Sequence, residues 1–229
     1  MTSSAAVSER PIVTFLPSPF LGPSLWDPVA ERLRTHGWQT HVADTSGTSP
    51  AEVLDRCEAS LPDDAPLVLV PHSNAGLYVP AIAAAGPPAA TVFVDAALPP
   101  SSGEAPLTPP ALRAELQGLA GPDGTLPPWP QWWPREQVRP LVPDDETFDR
   151  LVDEAPRMPV SYVGSSVEVP AGWERGRLAY LAFGDTYAAE TSRAREAGWP
   201  TDTLPGGHLH PLVDPEGVAA ALTGLLARV

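Results

Sequence analysis

Two runs with almost no polar side constrain this chain more than anything else in it. Pro66–Val70 reads P-L-V-L-V, and Ala90–Ala97 reads A-T-V-F-V-D-A-A. Successive residues of a strand point to opposite faces, so runs like these need cover on both faces. Strands of a parallel sheet between two layers of helix meet that condition. The rest of the chain supplies the layers. Pro11–Leu16, Gln39–Ala43, Leu178–Phe183 and Thr201–Leu204 read as further strands. Ser24–His36, Pro50–Leu61, Asn74–Ala85, Ala188–Ala197 and Pro215–Ala227 read as helices, the first with Ser24 as its cap and Gly37 as its stop. Strand and helix alternate, which predicts an α/β class with a mostly parallel central sheet flanked by helices. A length of 229 residues fits one domain, 1–229.

The alternation breaks once. Prolines number 31, far above the usual share of about 5%, and they crowd into residues 99–176 together with tryptophan, as in L-P-P-W-P-Q-W-W-P. Long connections in compact domains are lids or disorder, and the aromatic residues argue for a lid. The expectation is a Pro/Trp-rich cap inserted at 99–176, with Trp129, Trp132 and Trp133 lining an apolar substrate pocket.

Charge removes several function classes. The net charge is −14 from 14 basic and 28 acidic residues, which disfavours binding to a phosphate backbone. All the basic residues are arginine, so no lysine is present for a Schiff base. No apolar run approaches the ~20 residues of a membrane span. Met1–Arg10 lacks the basic-then-apolar pattern of a secretory signal, so a cytoplasmic protein is expected. Cys57, the single cysteine, excludes an internal disulfide and reads as a buried hydrophobe. No Cys/His cluster has zinc spacing. No cofactor or metal is expected, and the implied partner is a small-molecule substrate, with neither nucleic acid nor membrane.

Chemistry concentrates where the apolar strand ends: L-V-L-V runs into Pro71-His72-Ser73-Asn74-Ala75-Gly76 and then into a helix. This approximates G-x-S-x-G, with Pro71 and Ala75 in the small-residue positions. Such a turn exposes the serine hydroxyl and aims a helix N-terminus at developing negative charge. Ser73 would also serve as a simple helix cap. Near the C-terminus, L-P-G-G-H-L-H-P precedes the last helix.

On these segments, and on W-D-P-V-A-E-R-L-R-T-H-G-W, the chain resembles the α/β-hydrolase superfamily, in particular small esterases and hydroxynitrile lyases of the plant methyl-esterase type. The likeness implies an α/β-hydrolase fold with Ser73 as nucleophile and His208 as base, His210 being the second candidate. It gives His72 a structural role. Two aspartates compete for the acid. Asp185 follows the strand where the superfamily usually carries it, whereas Asp95 lies at the end of the preceding strand, a placement resembling some haloalkane dehalogenases. A carboxylate in so apolar a strand needs a partner.

The resemblance departs in the first loop. Pro17-Ser18 stand where the family has His-Gly, and Pro19 falls at the position whose N–H would hold an oxyanion; proline has none. Asn74 N–H remains as one donor, with Phe20 N–H or the Ser18 hydroxyl as the candidates for a second. Three functions are therefore open: a serine hydrolase acting on a small apolar ester, thioester or lactone; a lyase, eliminase or cyclase using Ser73 and His208 for acid–base chemistry, as in natural-product biosynthesis; or a binder that keeps the pocket.

Overall fold

A computed structural model describes residues 10–229; the segment read for a secretory signal lies, up to residue 9, outside the described residues. The first half of the chain alternates β1 (Ile12–Leu16), α1 (Asp27–Thr35), β2 (Thr40–Val42), α2 (Pro50–Ser60), β3 (Leu67–Ser73), α3 (Val79–Ala85) and β4 (Ala90–Ala96). The 99–176 segment holds β5 (Gly103–Pro106), α4 (Pro110–Leu119), α5 (Arg135–Val138), α6 (Asp145–Glu154), α7 (Val160–Val163) and β6 (Ser166–Val169). The chain ends with β7 (Leu178–Phe183), α8 (Ala188–Glu196), β8 (Thr201–Leu204), α9 (His210–Val213) and α10 (Pro215–Leu226).

Six strands form one parallel sheet in the order β2-β1-β3-β4-β7-β8. Burial follows that order. The strands β1, β4 and β7 are buried throughout and β3 nearly so, while β2 (T-H-V) and β8 (T-D-T-L), the polar ones, lie at the edges. From β1 the chain steps outward to β2, then returns to lay β3 on the other side of β1 and continues the opposite way. Right-handed crossovers therefore put α1 and α3 on opposite faces. The reversal also leaves a crevice beyond the carboxyl ends of β1 and β3, the usual ligand site of an open α/β sheet. Ser73 ends β3 and the Pro17–Phe20 loop follows β1, so the fold brings both to that crevice.

Local chemistry explains most element ends. Ser49 caps α2 by accepting from Glu52 N–H at 3.2 Å. Gly37, with φ +79°, closes α1. Ser24 does not cap that helix: it lies in a short 3₁₀ turn, Pro23–Leu25, its N–H donates to Glu154 Oε2, and its hydroxyl is buried without a partner. Residues Asn74–Tyr78, expected to be α-helical, form a 3₁₀ turn before α3 begins. Cys57 is buried, and that burial pushes its thiol up to about 12.

The ends of the 99–176 segment are tied together by the antiparallel pair β5–β6, which the sequence did not announce. Among the described residues no helix is long and apolar enough to cross a membrane.

Candidate active site

The turn at Ser73 is strained. Its φ is +56° and its ψ −127°, a region that costs a non-glycine residue roughly 1–3 kcal/mol. Its side chain caps no N–H of the following turn, so the capping role does not account for it. Gly76 lets the turn pack: a Cβ there would collide with Ala97 O. Ala97 N–H donates in turn to Ser73 O.

The neighbouring strand carries the second strained residue. His72 pairs with Val94 and Ser73 with Ala96, so β4 spends one extra residue, Asp95, against a single step of β3. Asp95 has φ +42° and forms a β-bulge, a device that re-aims a side chain. The Tyr180 hydroxyl secures the strand beyond it by donating to Ala96 O at 2.7 Å and accepting from Ala96 N–H at 3.0 Å. Burial holds that phenol far above its ordinary pKa, so it remains protonated.

The bulge delivers a fully buried carboxylate to two donors. Asp95 Oδ1 accepts from Phe183 N–H at 3.1 Å, and Oδ2 lies 2.6 Å from His208 Nδ1. A proton on Nδ1 in that contact leaves Nε2 with a lone pair. The His208 ring stacks on His72 at 4.4 Å and lies near Trp129 at 5.8 Å and Tyr187 at 5.7 Å. His72 is wholly buried; its Nε2 lies 3.0 Å from His208 O, and Nδ1 has no partner. Burial first, then the nearby His208, lowers the His72 pKa well below its ordinary value. Neutral His72, with its proton on Nε2, therefore donates to the backbone of the residue it stacks upon.

Of the two aspartates, the structure brings only Asp95 to His208. Asp185 lies exposed on the turn after β7, where its carbonyl accepts from Ala188 N–H. Gly184, with φ +60°, makes the turn that leaves Asp185 exposed. His210 is buried but packs on Phe183, with 5.2 Å between ring centroids, and has no bond to Asp95.

Ser73 Oγ is not hydrogen-bonded to His208. Its partner is Tyr187, whose phenol oxygen lies 3.3 Å away. Nothing in the sequence marks this tyrosine beyond its position two residues after Asp185. A serine hydroxyl moves among staggered rotamers, and here Tyr187 holds one of them.

The oxyanion candidates sit in two groups. Asn74 opens the turn after Ser73, so its N–H has no intrahelical acceptor. Its side chain donates to Leu107 O at 2.6 Å and accepts from Tyr162 Oη at 3.3 Å, and Tyr162 Oη is 2.7 Å from Tyr78 Oη. Leu107 and Tyr162 belong to the 99–176 segment, which therefore grips the elbow. In the β1 loop, Phe20 N–H points to Ser18 Oγ at a long 3.4 Å, so these two candidates are engaged with each other. Both are buried.

The tryptophans of 99–176 reach both flanks of the site. Trp129 meets His208 and Trp132 packs edge-on to Phe20 at 5.0 Å. Trp133 touches both other tryptophans from a less buried position. Ser73 itself is 7% exposed. Surface clefts of about 280 and 350 Å³ lie elsewhere, one beside Trp173 and one outside Pro17 and Pro19; neither is lined by Ser73.

No family model matches the chain, and no curated protein sequence matches it significantly. Solved structures do. An extracellular α/β-hydrolase from Paenibacillus, described as sharing structural and functional homology with tobacco salicylic acid binding protein 2, superposes with a TM-score of 0.74 at 14% identity, covering 94% of this chain and 99% of its own. Tomato methylketone synthase I bound to β-ketoheptanoate gives 0.73 at 14% identity over 96% and 98%. Polyneuridine aldehyde esterase gives 0.67 at 15% identity over 95% and 99%. At such identities the likeness speaks for architecture alone, and with the sheet order above it establishes that this chain has the α/β-hydrolase fold.

Proposed function

We propose that this protein is a serine hydrolase acting on a small, largely apolar ester, thioester or lactone through Ser73, His208 and Asp95. The observation that carries the reading is the 2.6 Å contact from His208 Nδ1 to a fully buried Asp95, delivered by a bulge beside a strained serine elbow. Burying a carboxylate is costly, and this one is aligned on the ring nitrogen that sets the tautomer of a base.

In the proposed reaction Ser73 Oγ leaves Tyr187 and gives its proton to His208 Nε2 as it bonds the carbonyl carbon. Asp95 stabilises the imidazolium. The carbonyl electrons move onto oxygen, which Asn74 N–H holds. The intermediate collapses, and His208 returns the proton to the leaving oxygen. Water then repeats the sequence on the acyl-enzyme, with His208 as base, and releases the acid. The aromatic surroundings of the site favour an apolar acyl or alcohol group.

A second reading, non-hydrolytic acid–base chemistry on the same residues, is favoured by one observation. Pro19 has no N–H, and its neighbour Phe20 N–H is turned toward Ser18. Loss of one oxyanion donor typically costs ~10²–10³ in acyl-transfer rate, whereas elimination or retro-addition builds no tetrahedral oxyanion. Kinetics with p-nitrophenyl acetate and butyrate decide the matter. Turnover that disappears in Ser73→Ala supports hydrolysis; turnover equal in wild type and Ser73→Ala overturns it.

A further inference from the structure

Among the described residues Tyr187 is the one side chain hydrogen-bonded to the reactive oxygen, and the reaction just described assigns it nothing. Its phenol oxygen is 3.3 Å from Ser73 Oγ, and its ring is 5.7 Å from that of His208. The backbone holds it there. Gly184, with φ +60°, turns the chain out of β7 so close to the His208 loop that a Cβ would lie 2.7 Å from Gly206 O. Tyr187 O then accepts from both Thr191 N–H and Thr191 Oγ, at 2.9 and 2.8 Å. Burial pushes the phenol up to about 12, against the opposing pull of the Ser73 contact. At neutral pH it is a donor and not a base.

Its side of the site decides what it donates to. The Pro17–Phe20 loop follows β1, on one side of β3, whereas Tyr187 follows β7, two strands away on the other. A phenol on the β7 side does not replace the N–H missing at Pro19. It stands beside His208, which must meet the leaving group.

Resting on the hydrolase reading, we propose that Tyr187 is a catalytic residue that hydrogen-bonds Ser73 Oγ in the resting enzyme and the leaving-group oxygen in the tetrahedral intermediate. When Oγ bonds the carbonyl carbon, the leaving oxygen is attached to that same carbon, two bonds from the atom Tyr187 already touches. As the carbon–oxygen bond breaks, the electron pair moves onto the leaving oxygen and the proton comes from His208 Nε2. Tyr187 keeps its own proton and supplies a hydrogen bond to the charge that builds before transfer.

Leaving-group dependence tests this. A p-nitrophenolate departs with little help, whereas an alkoxide needs a proton. Tyr187→Phe should therefore lower kcat/KM for an ethyl ester at least about tenfold more than for the p-nitrophenyl ester of the same acid, one positioned hydrogen-bond donor being worth roughly 10²–10³ in full. The far-UV circular dichroism spectrum of Tyr187→Phe should match that of the wild type and report an intact fold. Equal losses on the two esters, with turnover still dependent on Ser73, overturn the role of Tyr187 and leave the hydrolase reading standing. Wild-type protein that turns over neither ester, or does so without Ser73, overturns both.

Discussion

On its β7 side Ser73 faces a carboxylate bonded at both oxygens, a histidine held by that carboxylate, and a phenol aimed at its own hydroxyl. On its β1 side it faces a loop with prolines at 17 and 19, whose Phe20 N–H makes a 3.4 Å contact back to Ser18. The first flank is organised to move a proton. The second is thin in the donors that stabilise an oxyanion. On the proposed hydrolase reading, the fold invests unequally in the two halves of acyl transfer.

The largest expected effect lies on the organised flank. Asp95→Asn should lower Ser73-dependent turnover by about 10³–10⁴, the loss that follows when a histidine falls into the wrong tautomer. Asp185→Asn, on its exposed turn, should leave steady-state kinetics unchanged. Similar losses in the two variants would erase the distinction drawn between these aspartates.

The thin flank should respond by gain. Pro19→Ala supplies a backbone N–H where none exists and should raise kcat for a p-nitrophenyl ester roughly tenfold, part of the ~10²–10³ that a well-placed donor provides. No change would mean that the loop cannot aim a donor at this site, whatever its residue.

Smaller effects test how the 99–176 segment supports that flank. Tyr162→Phe removes the hydroxyl between Tyr78 and Asn74 and leaves buried polar atoms unpaired. The cost should be about 1–3 kcal/mol in urea unfolding, with a modest fall in turnover as Asn74 loosens. Unchanged stability would show that the Tyr78–Tyr162–Asn74 chain contributes nothing to the elbow.

The smallest effect is read in pH. His72 has a folded pKa well below its ordinary 6.5, chiefly through burial. Below pH 6.5 the unfolded chain therefore binds a proton that the folded one refuses. Stability from this residue is complete above that pH and declines as pH falls through it, at up to about 1.4 kcal/mol per pH unit. Urea melts between pH 5 and 7 should show a slope that flattens in His72→Gln. An identical slope in the variant would assign the acid sensitivity to other groups.

Much of this was legible in the chain. Leu178–Phe183 and Thr201–Leu204 match their strands residue for residue, and α2, α8 and α10 lie within one residue of their expected ends. Apolar runs and glycine or serine punctuation are local signals, and these elements obey them. The elbow was legible for the same reason. The bulge at Asp95 was not, because an extra residue in a ladder shows only against its partner strand. The chain revealed a carboxylate too costly to leave unpaired, but not which of two aspartates would reach His208. Tyr187 was hidden likewise: its contact with Ser73 spans 114 residues of sequence and depends on Gly184 and Gly206 meeting backbone to backbone. The β5–β6 pair escaped notice because G-E-A-P and S-V-E-V carry little strand pattern of their own.

In the proposed mechanism Asp95 and His208 activate Ser73. Fluorophosphonate labelling followed by peptide mapping, in the wild type, His208→Ala and Asp95→Asn, tests it without knowledge of the substrate. A single labelled peptide containing Ser73 is expected in the wild type, with labelling slowed by orders of magnitude in both variants. Labelling elsewhere, no labelling at all, or an unchanged rate in His208→Ala would contradict it.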